Sequence, residues 1–382
     1  MRRILIITSL YPNRINSSRG IFVKEQVEKL KMDNEVVVFA TENSRMNSYE
    51  VFYKDDIEVH QTRINIPRFI LSPFFYFFSV RKNLLKLLSN YDPDVIHIHD
   101  YKHMPEIFTL SFLLCKENIK KSVITFHNSR QLFDSHFSVR WFYLTTLKYA
   151  LNKFPKIIVV SKKVRELILP FSNKPSKINV IGNGVSKDFP KIMNTDLIKY
   201  LPKPNSSYKI ISVGNLVKSK GFDLLIEVVT KLNSEGHDVE LAVIGEGIEK
   251  DNLENLIINN SMKKRIRLLG RVNHYIVMNL YTHYNAFVLP SWSETFGIVY
   301  LEAMLSRIPV IGVEGEGIDG VIVDGENGFL VERNSVIDLE KTILKMMYSD
   351  NIEKITENGF NKVNQDHLLE NVIEQIEKVY EK

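Results

Sequence analysis

The sequence predicts an α/β protein made of two doubly wound parallel sheets. Three observations carry that expectation. Short β-branched apolar runs alternate with longer helical stretches along the chain. The alternation comes as two series, separated at 188–208 by a segment rich in proline and small polar residues. The two series also carry opposite charge. Residues 1–187 hold 29 Lys and Arg against 16 Asp and Glu, a balance of +13; residues 188–382 hold 21 against 29, a balance of −8. Halves of opposite sign imply two domains with different partners.

In the first series, 4–7, 35–40, 95–98, 123–125 and 157–160 are short, β-branched and bounded by polar residues, as strands are. Residues 21–30, 80–88 and 141–151 have helical periodicity. The second series predicts strands at 209–213, 240–244, 266–269, 286–289 and 310–311. Its helices fall at 222–233, 249–259, 274–281, 297–305 and 336–348. The domains are therefore expected at 1–187 and 209–365. The last segment, 366–382, places Leu369, Val372, Ile373, Ile376, Val379 and Tyr380 on one helical face, which needs a partner surface.

The 382 residues, 44% hydrophobic and 25% charged, are ordinary for a globular chain, and no apolar run approaches the roughly 18 residues of a membrane span. A single cysteine, Cys115, excludes an internal disulfide and a cysteine zinc cluster, and fits a reducing compartment. The opening MRRILIITSL reads as a buried strand rather than a signal, because Tyr11-Pro12-Asn13-Arg14 stands where cleavage would fall. The cytoplasm is the expected location. The basic half suits an anionic membrane or a phosphorylated substrate; nucleic acid is disfavoured, since no recognition motif accompanies the charge.

The chemistry concentrates after the strand at 286–289. Pro290-Ser291-Trp292-Ser293-Glu294-Thr295-Phe296-Gly297 is a strand-to-helix turn, and Glu302 follows on the helix. Backbone N–H groups at Thr295, Phe296 and Gly297 would face out of the helix start, where the dipole favours an anion such as a diphosphate. Glu302 offers two acceptor oxygens to sugar hydroxyls. Taken alone, the pair is better explained by Ser293 capping the helix and Glu302 lying in solvent. The flanking segments change that balance.

Glu294…Glu302, with Phe296-Gly297 and Glu302-Ala303-Met304, resembles the Glu-x7-Glu motif of the retaining GT-B glycosyltransferases of glycosyltransferase family 4. Ser9-Leu10-Tyr11-Pro12…Gly20-Ile21-Phe22 resembles the family's opening glycine loop. Asp94-Val95-Ile96-His97-Ile98-His99, Thr125-Phe126-His127, Val160-Ser161 and Ile181-Gly182-Asn183-Gly184-Val185 resemble successive segments of the acceptor-side domain. Val213-Gly214-Asn215-Leu216…Lys220-Gly221, Val243-Ile244-Gly245-Glu246-Gly247 and Asp324-Gly325-Glu326-Asn327-Gly328 resemble segments of the donor domain. The resemblance spans essentially the whole chain and implies two Rossmann-like domains facing a cleft. It also implies that helix 366–382 crosses back to the first domain.

The resemblance further implies roles. Lys220 matches the basic residue on the donor diphosphate. Glu302 matches the carboxylate holding the ribose, and Glu294 the one contacting the donor sugar. Thr295, Phe296 and Gly297 match phosphate-binding N–H donors. His127 matches the active-site histidine near the sugar, and Gly20 the loop glycine by the diphosphate. Gly245 and Val272 fall in the donor region, Val272 where the base rests. Two departures stand out: Asn215 replaces a usual Arg, with Lys218 and Arg271 as candidate substitutes, and Arg307 replaces a usual Gly. The loop Glu314-Gly315-Glu316-Gly317-Ile318-Asp319-Gly320 is unusually acidic and resembles a subgroup active in bacterial surface polysaccharide assembly.

The expected function is transfer of a sugar from a nucleoside diphosphate to a glycan or lipid-linked acceptor, with retention implied by the family. Stabilising the departing diphosphate requires a cation and preorganised N–H groups; Lys220 and the turn at 295 supply both, so neither metal nor cofactor is expected. Asp92-Pro93-Asp94 has metal-ligand spacing but reads as a turn entering a strand. His97, His99 and His103 lack a metal-site pattern; His99 is the more site-facing and His97 structural. Phe69, Phe74–Phe78 and the basic residues Arg81, Lys82 and Lys86 within 67–88 make an anionic membrane surface a candidate partner. Two alternatives are a sugar-nucleotide epimerase of the same fold and a non-catalytic sugar-nucleotide-binding protein, the latter prompted by Asn215.

Overall fold

The apolar run at the start of the chain forms strand β1 (Arg3–Thr8), which lies in the middle of a sheet and is buried on both faces. Each following apolar run adds a parallel neighbour. The elements are α1 (Ile21–Leu30), β2 (Glu35–Asn43), β3 (Ser48–Lys54), β4 (Ile57–Ile64), α2 (Ser72–Tyr91), β5 (Val95–Asp100), α3 (Met104–Leu113), α4 (Lys116–Lys120), β6 (Ser122–Phe126), α5 (Phe137–Lys153), β7 (Lys156–Val159), α6 (Lys162–Ile168) and β8 (Ile178–Val180). The strand order is β3-β4-β2-β1-β5-β6-β7-β8. Among the described residues, only the β3–β4 pair is antiparallel. This computed structural model describes residues 1–12, 20–65, 72–100, 104–127, 137–190, 197–202 and 208–382. The chain divides into two units, Met1–Gly184 with Leu369–Lys382, and Val185–Leu368.

The second unit contains β9 (Tyr208–Val213), α7 (Phe222–Ser234), β10 (Val239–Ile244), α8 (Lys250–Asn259), β11 (Ile266–Leu268), α9 (His274–Tyr281), β12 (Ala286–Val288), α10 (Ile298–Leu305), β13 (Val310–Val313), β14 (Phe329–Val331), α11 (Val336–Met347) and α12 (Ile352–Asp366). Its sheet is parallel throughout, in the order β11-β10-β9-β12-β13-β14. From β9 the chain winds outward to β10 and β11, and from β12 outward to β13 and β14. The order therefore reverses between β9 and β12, and the crevice beyond their carboxyl ends is where such sheets take ligands.

The boundaries differ from those expected. The division falls at 184/185 rather than 187/188, and described residues of the supposed linker are tied into the second unit. Tyr284 Oη donates to the Tyr200 carbonyl at 2.8 Å, and Arg267 to that of Leu201 at 2.9 Å. Asp366 ends α12, so the C-terminal helix spans Leu369–Glu381. All six of its apolar-stripe residues are buried, in one cluster with Ile4, Ile6, Val23 and Val27 of the first unit. Its polar rim meets basic residues there: Lys29 pairs with Glu370 at 2.7 Å, and Arg2 with Glu381 at 2.7 Å. Gly184 makes this crossing fit, since a Cβ there would stand 2.7 Å from Leu369 Cα.

The aromatic cluster on α2 is divided. Tyr76, Val80, Leu84, Leu87 and Leu88 point into the core, whereas Phe75, Phe78, Arg81, Lys82 and Lys86 are exposed, Phe78 to 71%. Residues 66–71, including Phe69, lie outside the described residues, as does the side chain of Phe74. Among the described residues, no helix is long and apolar enough to cross a membrane.

Candidate active site

The loops after β9 and β12 meet at the reversal point of the second sheet. Gly221, at φ 68°, ends the short turn Lys218–Lys220 and starts α7; a Cβ there would lie 2.5 Å from the Pro290 carbonyl oxygen. Trp292 N–H and the Ser291 hydroxyl both donate to the Ser219 carbonyl, at 3.0 and 3.3 Å. These contacts bring Lys220 Nζ onto the Glu294 carboxylate as a hydrogen-bonded ion pair, with both side chains mostly buried. An ammonium has three donors, so this pairing leaves Lys220 able to hold a second anion.

Beside the pair, the turn enters α10. The helix begins at Ile298, one residue later than expected, with Gly297 as its cap at φ 86°. Ser293 does not cap it. Among the described residues, the N–H groups of Thr295, Phe296 and Gly297 have no hydrogen-bond partner. Three unpaired donors and a helix N-terminus thus adjoin a lysine, the arrangement that receives a phosphate.

Glu302, the fifth residue of α10, is only 7% exposed, not solvated as an isolated carboxylate would be. Its Oε1 lies 2.9 Å from His274 Nε2, and its Oε2 accepts from Tyr281 Oη at 3.2 Å. Burial and this carboxylate push the Tyr281 hydroxyl far above its ordinary pKa, so it stays a donor. His274 and Tyr281 orient Glu302 and still leave acceptor capacity on its oxygens. Sequence reading missed both, because α9 looked like a plain amphipathic helix.

Gly245 and Val272 occupy neighbouring strand ends. Gly245 N–H donates to Gly270 O at 2.9 Å, and a Cβ on Gly245 would meet the Gly214 oxygen at 1.9 Å, so the β9 and β10 loops touch through backbone. Val272 is half-buried, and Asn215 and Arg271 are exposed. Lys218 is engaged with Asp223. Arg307, where a glycine is usual, takes φ 57° and is held by an ion pair to Glu357 and a stack 3.7 Å above the Phe360 ring.

The acidic loop after β13 proves to be part of this site. Glu316 is buried; its Oε2 accepts the Glu294 N–H at 2.8 Å, and Gly317 N–H donates to the Glu294 carbonyl at 3.1 Å. A Cβ on Gly317 would stand 2.2 Å from the Thr295 carbonyl carbon. The acidic composition of the loop gives no sign of this pairing.

Gly20 and His127 belong to the first unit. Gly20, at φ 61°, caps α1, and the absence of its Cβ is already required by the Leu10 carbonyl oxygen, 2.6 Å from where that atom would be. His127 follows β6 directly. Its Nε2 lies 2.9 Å from His99 Nδ1, its ring is 4.8 Å from Phe22, and its buried Nδ1 has no partner among the described residues. His97 bridges Tyr380 Oη and Thr125 Oγ1, both at 2.7 Å, as a structural residue would. Burial drives all three imidazoles below their ordinary pKa, His99 to about 3, so each is neutral at pH 7. His103 lies outside the described residues. Asp92, at φ 42°, forms the expected turn, and Asp94 accepts the Arg3 N–H at 2.8 Å.

Family models and known proteins match the chain over most of its length. The family model Glycosyltransferase Family 4 matches residues 20–189, and Glycosyl transferases group 1 matches 194–362. An uncharacterized glycosyltransferase of Methanocaldococcus jannaschii is 30% identical over 287 residues, 74% of either chain. The capsular polysaccharide biosynthesis glycosyltransferase CapM of Staphylococcus aureus is 31% identical over 234 residues, 59% of this chain and 60% of that one. Among solved structures, sucrose-phosphate synthase from Thermosynechococcus elongatus aligns with a TM-score of 0.79 at 19% identity, covering 100% of this chain and 98% of that one. Anabaena HepE in complex with UDP and glucose aligns at 0.74 and 17%, covering 100% of both; at these identities the likeness is one of fold. The chain belongs to glycosyltransferase family 4 and has the GT-B fold.

Proposed function

We propose that the protein transfers a sugar, with retention, from a nucleoside diphosphate to a glycan or lipid-linked acceptor, in the assembly of a bacterial surface polysaccharide. The observation that carries this reading is the Lys220–Glu294 pair beside the unpaired N–H groups of Thr295–Gly297, at the reversal point of the second sheet. Breaking the bond from sugar to diphosphate leaves negative charge on the diphosphate and oxocarbenium character on the sugar. Lys220 and the preorganised N–H groups stabilise the first, and Glu294 faces the second. Glu302 holds the ribose, and His127 keeps the sugar-side role its motif implies. In this reading the cation at the leaving group is a lysine, and no metal or cofactor is called for. HepE is described in complex with UDP and with UDP-glucose, and CapM is named for capsular polysaccharide biosynthesis; both support the donor and acceptor classes.

The same reading puts the protein on the inner face of the cell membrane, held reversibly by α2. Phe75 and Phe78 supply apolar contact, and Arg81, Lys82 and Lys86 each contribute on the order of 1 kcal/mol near anionic lipid. Equal sedimentation of wild type and an Arg81/Lys82/Lys86→Glu variant with anionic liposomes at low salt contradicts that part. The donor assignment is tested by thermal shift across a panel of sugar nucleotides. A nucleoside diphosphate sugar at 100 times its Kd should add about 2.7 kcal/mol of stability. Failure of every nucleoside diphosphate to shift the transition contradicts the proposal.

A further inference from the structure

We infer that Glu316 is a positioning residue for Glu294, an inference that rests on the sugar-side role proposed for Glu294. A peptide at the mouth of a phosphate-binding turn normally leaves its N–H to solvent or ligand. Here both polar groups of the Glu294 peptide are taken by one loop: its N–H by the Glu316 carboxylate at 2.8 Å, and its carbonyl by Gly317 N–H at 3.1 Å. Glu316 is 6% exposed, and a carboxylate is removed from water only where it gains charge-assisted hydrogen bonds. The backbone contact of Gly317 with Thr295 and Phe296 leaves no space for the loop to slide.

Two consequences follow. Glu294 is anchored at three points, by Lys220 on its side chain and by the loop on either side of its backbone, so its carboxylate has a fixed place relative to Lys220. The Glu294 N–H is also withdrawn from the donor, and the phosphate-facing set is confined to Thr295, Phe296 and Gly297. Glu316 thus acts on the sugar end of the reaction through Glu294, without supplying charge to the diphosphate.

The test compares Glu316→Ala, Glu316→Gln and Glu294→Gln in the full-length protein, with kcat for a turned-over nucleoside diphosphate sugar and Kd for the nucleoside diphosphate alone. Glu316→Ala frees the Glu294 peptide. Loosening a reacting group by about an ångström costs on the order of 10²-fold, so kcat per folded molecule should fall about 10- to 100-fold while Kd for the nucleoside diphosphate stays within about 3-fold. Glu316→Gln keeps an acceptor oxygen and should restore kcat to within about 3-fold of wild type. A purely structural role would lower the melting temperature and leave kcat per folded molecule unchanged. That outcome, or a Gln variant as impaired as the Ala variant, overturns the inference. Full turnover by Glu294→Gln overturns the parent assignment and the inference with it. Loss in Glu294→Gln alongside full turnover in Glu316→Ala overturns the inference alone.

Discussion

The two sheets are wound in the same way, yet their strand ends carry opposite kinds of chemistry. The first unit ends β5 and β6 in buried histidines that are neutral and bonded to one another or to hydroxyls. The second ends β9 and β12 in a lysine, a glutamate and three N–H groups unpaired among the described residues. A fold of this class offers a crevice but no chemistry, and side chains at the reversal point decide what it takes. Neutral hydrogen-bonding groups suit hydroxyls, whereas a cation and helix-start donors suit a diphosphate. In the proposed function the donor chemistry therefore falls to the second unit despite its net acidity. In that reading the local placement of Lys220 matters more than a balance of −8 spread over 195 residues, since exposed charges beyond the roughly 8–10 Å screening length act weakly.

The comparison breaks most visibly if Lys220 is dispensable. Lys220→Ala should lower turnover about 10²–10³-fold with little change in melting temperature, because a preorganised electrostatic contact at a leaving group is worth about that much. Steady-state kinetics on the folded variant check this, and unchanged kinetics would remove Lys220 from the site. The stability counterpart lies in the first unit. Ile376→Ala removes a buried side chain of the C-terminal helix from the cluster with α1 and β1, and should cost about 2–5 kcal/mol in chemical denaturation.

The histidines sharpen the contrast through pH. Their native pKa values lie below the unfolded value of about 6.5, so the unfolded chain binds the extra protons. Their stabilising contribution is complete above pH 6.5 and is lost as pH falls toward the native values, about 3 for His99. The slope is at most about 1.4 kcal/mol per pH unit for each histidine. The first unit's urea midpoint should drop between pH 7.5 and 5.0; a flat midpoint would mean that the imidazoles are hydrated in solution. The smallest expected effect is at Asn215. Asn215→Arg restores a second cation to an exposed loop and should tighten nucleoside diphosphate binding by a few-fold in calorimetry; weaker binding would show a pocket of different shape.

The alternating runs made both sheets legible, because a strand buried on both faces is apolar throughout. The β3–β4 hairpin was not, for two reasons. β3 is an edge strand with alternating exposure, and its turn uses Asp55 and Asp56 at φ 51° and 56° instead of a glycine. Strand β14, of three residues, is too short to register a period. At the site, Lys220, Glu294 and Glu302 stood out through their motifs. Glu316, His274 and Tyr281 did not, because each acts through a partner far away in sequence, and side-chain pairing across 20 to 30 residues leaves no local pattern. The C-terminal helix was legible from its stripe alone, while its start was misplaced by three residues because α12 runs on to Asp366.

Sugar transfer is tested by the release of nucleoside diphosphate from nucleoside diphosphate sugars by wild-type protein, with and without a lipid extract as acceptor. Release from one sugar nucleotide should depend on the extract, with the sugar recovered on the acceptor. Release or isomerisation of the sugar independent of any acceptor, or binding without turnover in every mixture, would contradict it.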